Sequence, residues 1–231
     1  MENLKLKICG LTKLPQIQEL CGEVDFLGFI FYEKSPRYVL NSLTLNEVKA
    51  IQHPGKVGVF VNEELENIVA TEQKADLNYI QLHGDENAAF ISDLREELSP
   101  ETRIIKALRI GTESTADLQK KLDDLFSPVD YFLFDTDSKS FGGTGMTFDW
   151  EVLKGLDIRK PYFLSGGISP ESLERLQDLY KINMRENETL PKLKLPLALD
   201  INSRFEFEPG DKDTEKIKSF KRAISALSQL C

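Results

Sequence analysis

A cysteine followed at once by a glycine, Cys9-Gly10, ends the apolar run "LKLKIC", and an aspartate, Asp135, ends another, "DYFLFD". A thiolate takes up a proton and a carboxylic acid gives one, so the two together suit general acid–base chemistry. Each also has an ordinary reading: a buried cysteine packs as a small hydrophobe, and an aspartate after a strand caps a helix or anchors a loop. Further candidates sit at the ends of other apolar runs. Arg37, in "KSPRY", carries the fork that grips a carboxylate, or is a solvated surface charge. Gln81 and His83 belong to "QLHGD", where the histidine is either a proton-transfer group or a hydrogen-bonded structural one. Asp200 ends "PLALD". Gly166 and Gly167 of "SGGIS" are a tight turn or a place where backbone N–H groups reach a phosphate, and Asn202 and Ser203 of "DINS" fit the same phosphate role. Gly142, Gly143 and Gly145 of "FGGTG" read as a lid over the site or as a plain flexible loop.

Elements must bring these residues together. Short β-branched runs alternate with longer amphipathic stretches. The runs are 4–9, 25–31, 56–61, 78–82, 103–108, 130–135, 161–165 and 196–200. Each is followed by a segment of helical spacing, including "FDWEVLKG" after the sixth run. Eight strand–helix units imply parallel strands with helical crossovers, and about 29 residues per unit matches a closed (β/α)8 TIM barrel. An open doubly wound sheet wants a glycine-rich fingerprint after its first strand, which "CGLTKL" lacks. In a barrel of eight, strands one and six lie three steps apart through eight and seven. Cys9 and Asp135 then face each other across the C-terminal mouth, with the glycine turns between them. The chain reads as one barrel domain, residues 1–231, with an irregular surface loop at about 181–196 on the opposite face.

Composition narrows the classes. With 29 basic and 38 acidic residues the net charge is −9, which disfavours nucleic acid and leaves small anions to local backbone sites. Three cysteines, Cys9, Cys21 and Cys231, form no CxxC pair, so a reducing cytoplasm is expected and a disulfide framework is not. Two histidines, His53 and His83, are too few for a histidine-rich metal site. No run approaches a membrane span and no secretory h-region opens the chain. Other sugar-phosphate barrels fit less well. An epimerase wants a metal cluster, and an indole-forming synthase wants lysine and glutamate at several strand ends, where Lys106 stands alone. A non-catalytic anion-binding barrel would keep the glycine turns without Cys9 and Asp135.

Seven ordered motifs give the chain a resemblance to the phosphoribosylanthranilate isomerase family. They are "KICGLT", "DFLGFIFYEKSPRYV", "KVGVFVNE", "QLHGDE", "LFDTDSKSFGGTGMTFDW", "LSGGIS" and "LALDINS". The resemblance implies a phosphate-binding (β/α)8 barrel that catalyses an Amadori rearrangement in tryptophan biosynthesis. The substrate would be N-(5-phosphoribosyl)anthranilate and the product 1-(2-carboxyphenylamino)-1-deoxyribulose 5-phosphate. It implies no metal and no organic cofactor, Cys9 as base, Asp135 as acid and Arg37 at the anthranilate end. A thiol moderately depressed from about 8.5 is expected for such a base. It leaves monomer and homodimer both open. After the eighth strand the family pattern D-V-S-S-G-V-E reads "DINSRFE" here. Arg204 replaces the glycine, so it is either strained at positive φ or a phosphate contact in an altered loop.

Overall fold

In "LKLKIC" two sets of residues alternate, Leu4, Leu6 and Ile8 against Lys5, Lys7 and Cys9. A strand sends such sets to opposite faces. The computed structural model describes residues 4–136, 149–178 and 195–228. In it, strand β1 (Lys5–Ile8) turns the leucines and Ile8 outward, under a shell of helices, while Cys9 joins the cluster inside. The same alternation runs through β2 (Phe26–Ile30), β3 (Lys56–Phe60), β4 (Tyr79–Leu82), β5 (Arg103–Ile110), β6 (Tyr131–Thr136), β7 (Tyr162–Leu164) and β8 (Ala198–Ile201). The strands pair in parallel in chain order, and β8 closes on β1. The barrel read from the unit count is the observed one.

Helices α1 (Leu14–Leu20), α2 (Leu45–Ala50), α3 (Leu65–Ala75), α4 (Ala88–Glu97) and α5 (Thr115–Asp124) follow the first five strands. A sixth helix is described over 173–178, and α7 (Thr214–Ser228) follows β8. Local chemistry starts several of them. Thr44 and Glu47 cap α2 reciprocally, Asn87 accepts from the Phe90 N–H at 3.0 Å, and Ser114 from the Asp117 N–H at 3.2 Å. Among the described residues no helix is long and apolar enough to cross a membrane.

Inside the barrel the lower end is filled by a closed ring of aromatics. Phe26 meets Tyr79 at 5.3 Å and Phe163 at 5.0 Å, and Tyr131 meets Tyr79 at 6.0 Å and Phe163 at 5.8 Å. These contacts, three edge-on and one tilted, plug the interior. Polar inward positions therefore fall higher up, at Lys7, Gln81, Asp135 and Asp200, where the strands open to their loops.

Three local outcomes differ from the sequence reading. "WEVLKG" forms a 3-10 segment, Trp150–Gly155, rather than an α-helix. Six residues ending on glycine cannot repay the cost of nucleating a longer helix. Strand β5 runs two residues further than 103–108 and carries Arg109 to the mouth. Beyond β8, after a 3-10 turn at Ser203–Phe205, a small antiparallel hairpin forms from β9 (Glu206–Glu208) and β10 (Asp211–Lys212). Its turn carries Gly210 at φ +86°. Residues 142, 143 and 145, and 181–194 of the irregular loop, lie outside the described residues.

Candidate active site

Strand β1 places Cys9 just past its last residue, still held by its N–H donating to the Ile201 carbonyl at 2.9 Å. The adjacent strand β2 makes room for the thiol. A Cβ at Gly28 would stand 3.0 Å from the Cys9 Cα and 3.4 Å from its sulfur. One layer below, Lys7 lies in register with Asp200 of β8, and its Nζ donates to Asp200 Oδ1 at 2.9 Å, both side chains buried. The charge of the Lys7 ammonium also acts on Cys9.

Across the mouth, Asp135 accepts from the Thr136 N–H at 2.8 Å through Oδ1, and its Oδ2 stands 3.3 Å from His83 Nε2. Gln81, fully buried one layer down on β4, contacts His83 Nδ1 through Nε2 at 2.9 Å. Gln81 and Asp135 thus hold the imidazole from its two ring nitrogens. The charges of Lys7, Asp135 and His83 act on Asp200, and that of Asp200 acts on Cys9. The structure thus brings Cys9, Asp135, Asp200, Gln81 and His83 to one mouth.

The glycine turn after β7 closes on the acid. Gly166 and Gly167 both adopt positive φ, +83° and +73°. A Cβ at Gly166 would stand 2.4 Å from Thr136 Oγ1 and 3.3 Å from Asp135 Oδ1, so only glycine fits there. After β8, Ser203 opens the 3-10 turn, and Asn202 turns its Oδ1 to the Lys212 ammonium at 2.8 Å. Arg204 lies inside that turn, exposed and not at positive φ. The strained alternative for it does not arise.

Arg37 is buried, not a solvated charge. Its Nε donates to Glu206 Oε1 at 2.8 Å and its Nη2 bonds the same carboxylate. Lys212, fully buried, donates to Glu206 Oε2 at 2.8 Å. Burial works against the Glu206 charge, but Arg37 and Lys212 overcome it and hold its carboxyl below the usual range. Two cations against one carboxylate leave this cluster net positive, beside Gly10 and Asn202.

The thiol departs from expectation. Burial pushes Cys9 up from its ordinary value, outweighing the pull of Lys7, Lys212 and Arg37, with Asp200 adding to the rise. A depressed thiol is therefore not what the mouth provides, because its sulfur is cut off from water. Burial also works against the Lys7 ammonium, but Asp200 and Cys9 outweigh it and hold Lys7 above its ordinary value.

Sequence reasoning missed Lys7, Glu206, Lys212 and Arg109. The last contacts Asp85 at the rim. Lys106 points the other way, outside the barrel, and ties Glu86 at 2.8 Å and the Gly84 carbonyl at 2.7 Å. His53 sits far from this chemistry in a loop, its Nε2 at 3.1 Å from the Val24 carbonyl.

Comparison with known proteins adds four findings. The family model for N-(5'phosphoribosyl)anthranilate (PRA) isomerase matches residues 6–223. The chain is 36% identical over 222 residues to the N-(5'-phosphoribosyl)anthranilate isomerase of Parabacteroides distasonis, covering 95% of this chain and 92% of that one. It is similar to the crystal structure of phosphoribosyl anthranilate isomerase from Thermotoga maritima, with a TM-score of 0.76 and 30% identity over 96% of this chain and 99% of that one. A related structure, at TM-score 0.70 and 28% identity over 96% and 99% of the two chains, is a phosphoribosyl anthranilate isomerase in complex with reduced 1-(o-carboxyphenylamino)-1-deoxyribulose 5-phosphate.

Proposed function

The chain belongs to the N-(5'-phosphoribosyl)anthranilate isomerase family of tryptophan biosynthesis, and from that premise we propose how its own residues carry the reaction. The substrate's phosphate lies on the Gly166–Gly167 turn and the Asn202–Ser203 turn, where backbone N–H groups converge. Its anthranilate carboxylate goes to the net positive cluster of Arg37 and Lys212. The sugar then spans the mouth between Cys9 and Asp135.

Base and acid hold one proton between them, and the reactive form has it on Asp135. Asp135 gives that proton to the ring oxygen, the C1–O bond breaks, and the nitrogen lone pair makes an iminium ion. The iminium acidifies C2, and the Cys9 thiolate takes the C2 proton to give an enolamine. The Cys9 thiol returns its proton to C1 while the C2 hydroxyl gives its own to Asp135. The ketone is formed and both groups end as they began.

The observation that supports this reading is the closed barrel, in which Cys9 follows β1, Asp135 lies at the end of β6 and the Gly166 turn between them stands within 3.3 Å, by its Cβ position, of Asp135 Oδ1. The test follows the fluorescence of freshly made phosphoribosylanthranilate, with excess downstream synthase. Wild-type protein removes it quickly, while Cys9→Ala and Asp135→Asn each slow its loss by ~10²-fold or more. Equal rates for wild type and Cys9→Ala would remove Cys9 as the base.

A further inference from the structure

A lysine in the middle of a barrel strand needs an explanation. Lys7 is fully buried, inside the barrel, two residues before Cys9 on the same strand and therefore on the same side. An apolar residue there would fill the layer and close β1 on β8 without the cost of taking an ammonium out of water. The ammonium instead donates to Asp200 Oδ1 at 2.9 Å, and from two residues along the same strand its charge acts on Cys9. Asp200 in turn faces Asp135 and His83. The fixed charge thus lies at the Cys9 end of the line that joins base to acid.

We propose that Lys7 is a positioning residue for the isomerisation: its buried ammonium, held by Asp200, draws the shared proton off Cys9 and onto Asp135. The proposal rests on the assignment of base and acid given above. Four charged groups act on the thiol, one from each element packed around it. Lys7 on β1, Lys212 on β10 and Arg37 in the loop after β2 favour the thiolate, and Asp200 on β8 opposes it. Lys212 and Arg37 are both tied to Glu206. Lys7 is the one that lies a layer below the thiol on its own strand, leaving the mouth open to substrate. Before turnover the proton leaves sulfur for the Asp135 carboxylate. No other co-reactant is needed, and the cycle returns it.

The experiment titrates one thiol. In a Cys21→Ser, Cys231→Ser background, the difference in ultraviolet absorbance against pH between the protein with Cys9 and its Cys9→Ala variant cancels the six tyrosines and reports the Cys9 thiolate alone. Lys7→Met moves the Cys9 midpoint up by about one pH unit or more. Asp200→Asn moves it down, because the opposing charge is gone. Activity falls about tenfold or more in Lys7→Met, in kcat rather than KM. A pair that merely closes the barrel would lower thermal stability in both variants without moving the thiol in opposite directions. Unmoved midpoints, or midpoints that move the same way, overturn the proposal. If Lys7→Met does not fold, the downward move in Asp200→Asn still decides. The underlying assignment fails separately. Cys9→Ala with full turnover removes the base, whereas an inactive Cys9→Ala with an unmoved Lys7→Met thiol removes only the role of Lys7.

Discussion

At the scale of single residues, the chemistry turns on where one proton sits. Burial raises Cys9, so its thiol form persists to higher pH than in a free peptide. The sign follows for both stability and rate. Whatever stability the neutral buried thiol contributes is present below about 8.5 and is lost as pH rises above it. The reactive state needs one proton on the Cys9–Asp135 pair, and with the thiol raised that proton is also retained past about 8.5. The prediction is a kcat/KM that stays level through neutral pH and declines only above that value. Steady-state rates at limiting substrate across the alkaline range check it. A decline already complete below about pH 8 would mean that a group other than Cys9 sets the alkaline limb.

At the scale of elements, the hairpin after β8 decides how the substrate's carboxylate end is met. Its first strand supplies Glu206 and its second Lys212, and the turn between them depends on Gly210 at φ +86°. A Cβ at Gly210 would stand 2.5 Å from Thr12 Oγ1, whose hydroxyl donates to the Gly210 carbonyl at 2.9 Å. Gly210→Ala therefore costs about 1–3 kcal/mol of strain and pushes the hairpin off Thr12. Arg37 loses its anchor with it. The expected result is a KM raised on the order of tenfold with kcat less affected. An unchanged KM in a folded variant would detach the hairpin from substrate binding. The hairpin also marks the limit of what the sequence discloses. The barrel was legible because each strand–helix unit carries its own period, and Cys9, Asp135 and the glycine turns were legible because they sit at run ends. "EFEPGDK" did hold a signal, alternation into Pro-Gly, but so short a pair draws its stability from packing on Thr12 and Gln16, which lie almost two hundred residues away. Lys7 was hidden for a different reason. "LKLK" looks like a strand with one wet face, and only closure of the barrel shows that neither face is wet.

At the scale of the whole molecule, closure and catalysis share one seam. Strands β1 and β8 pair over four residues, from Lys5 with Ala198 to Ile8 with Ile201, and the Lys7–Asp200 contact lies within that ladder. Cys9 continues β1 and the Asn202–Ser203 turn continues β8. Helix α7 covers the outside. Ile217, Phe220 and Ile224 are buried there, Phe220 packs on Phe205 at 5.0 Å, and Lys221 reaches back to Asp25 at 2.5 Å. Phe220→Ala is expected to cost about 3–5 kcal/mol, a large part of the roughly 5–15 kcal/mol that holds a domain. If the seam is where the ring closes, the variant cannot lose it and keep the site. Urea titrations followed by far-ultraviolet circular dichroism and by Cys9 labelling should then show one midpoint in the wild type. In Phe220→Ala that midpoint should move to lower urea with the two probes still together. Cys9 becoming reactive well before the helical signal is lost would show that the mouth opens while the barrel stays shut. Closure of β8 on β1 would then not be what holds the base in place.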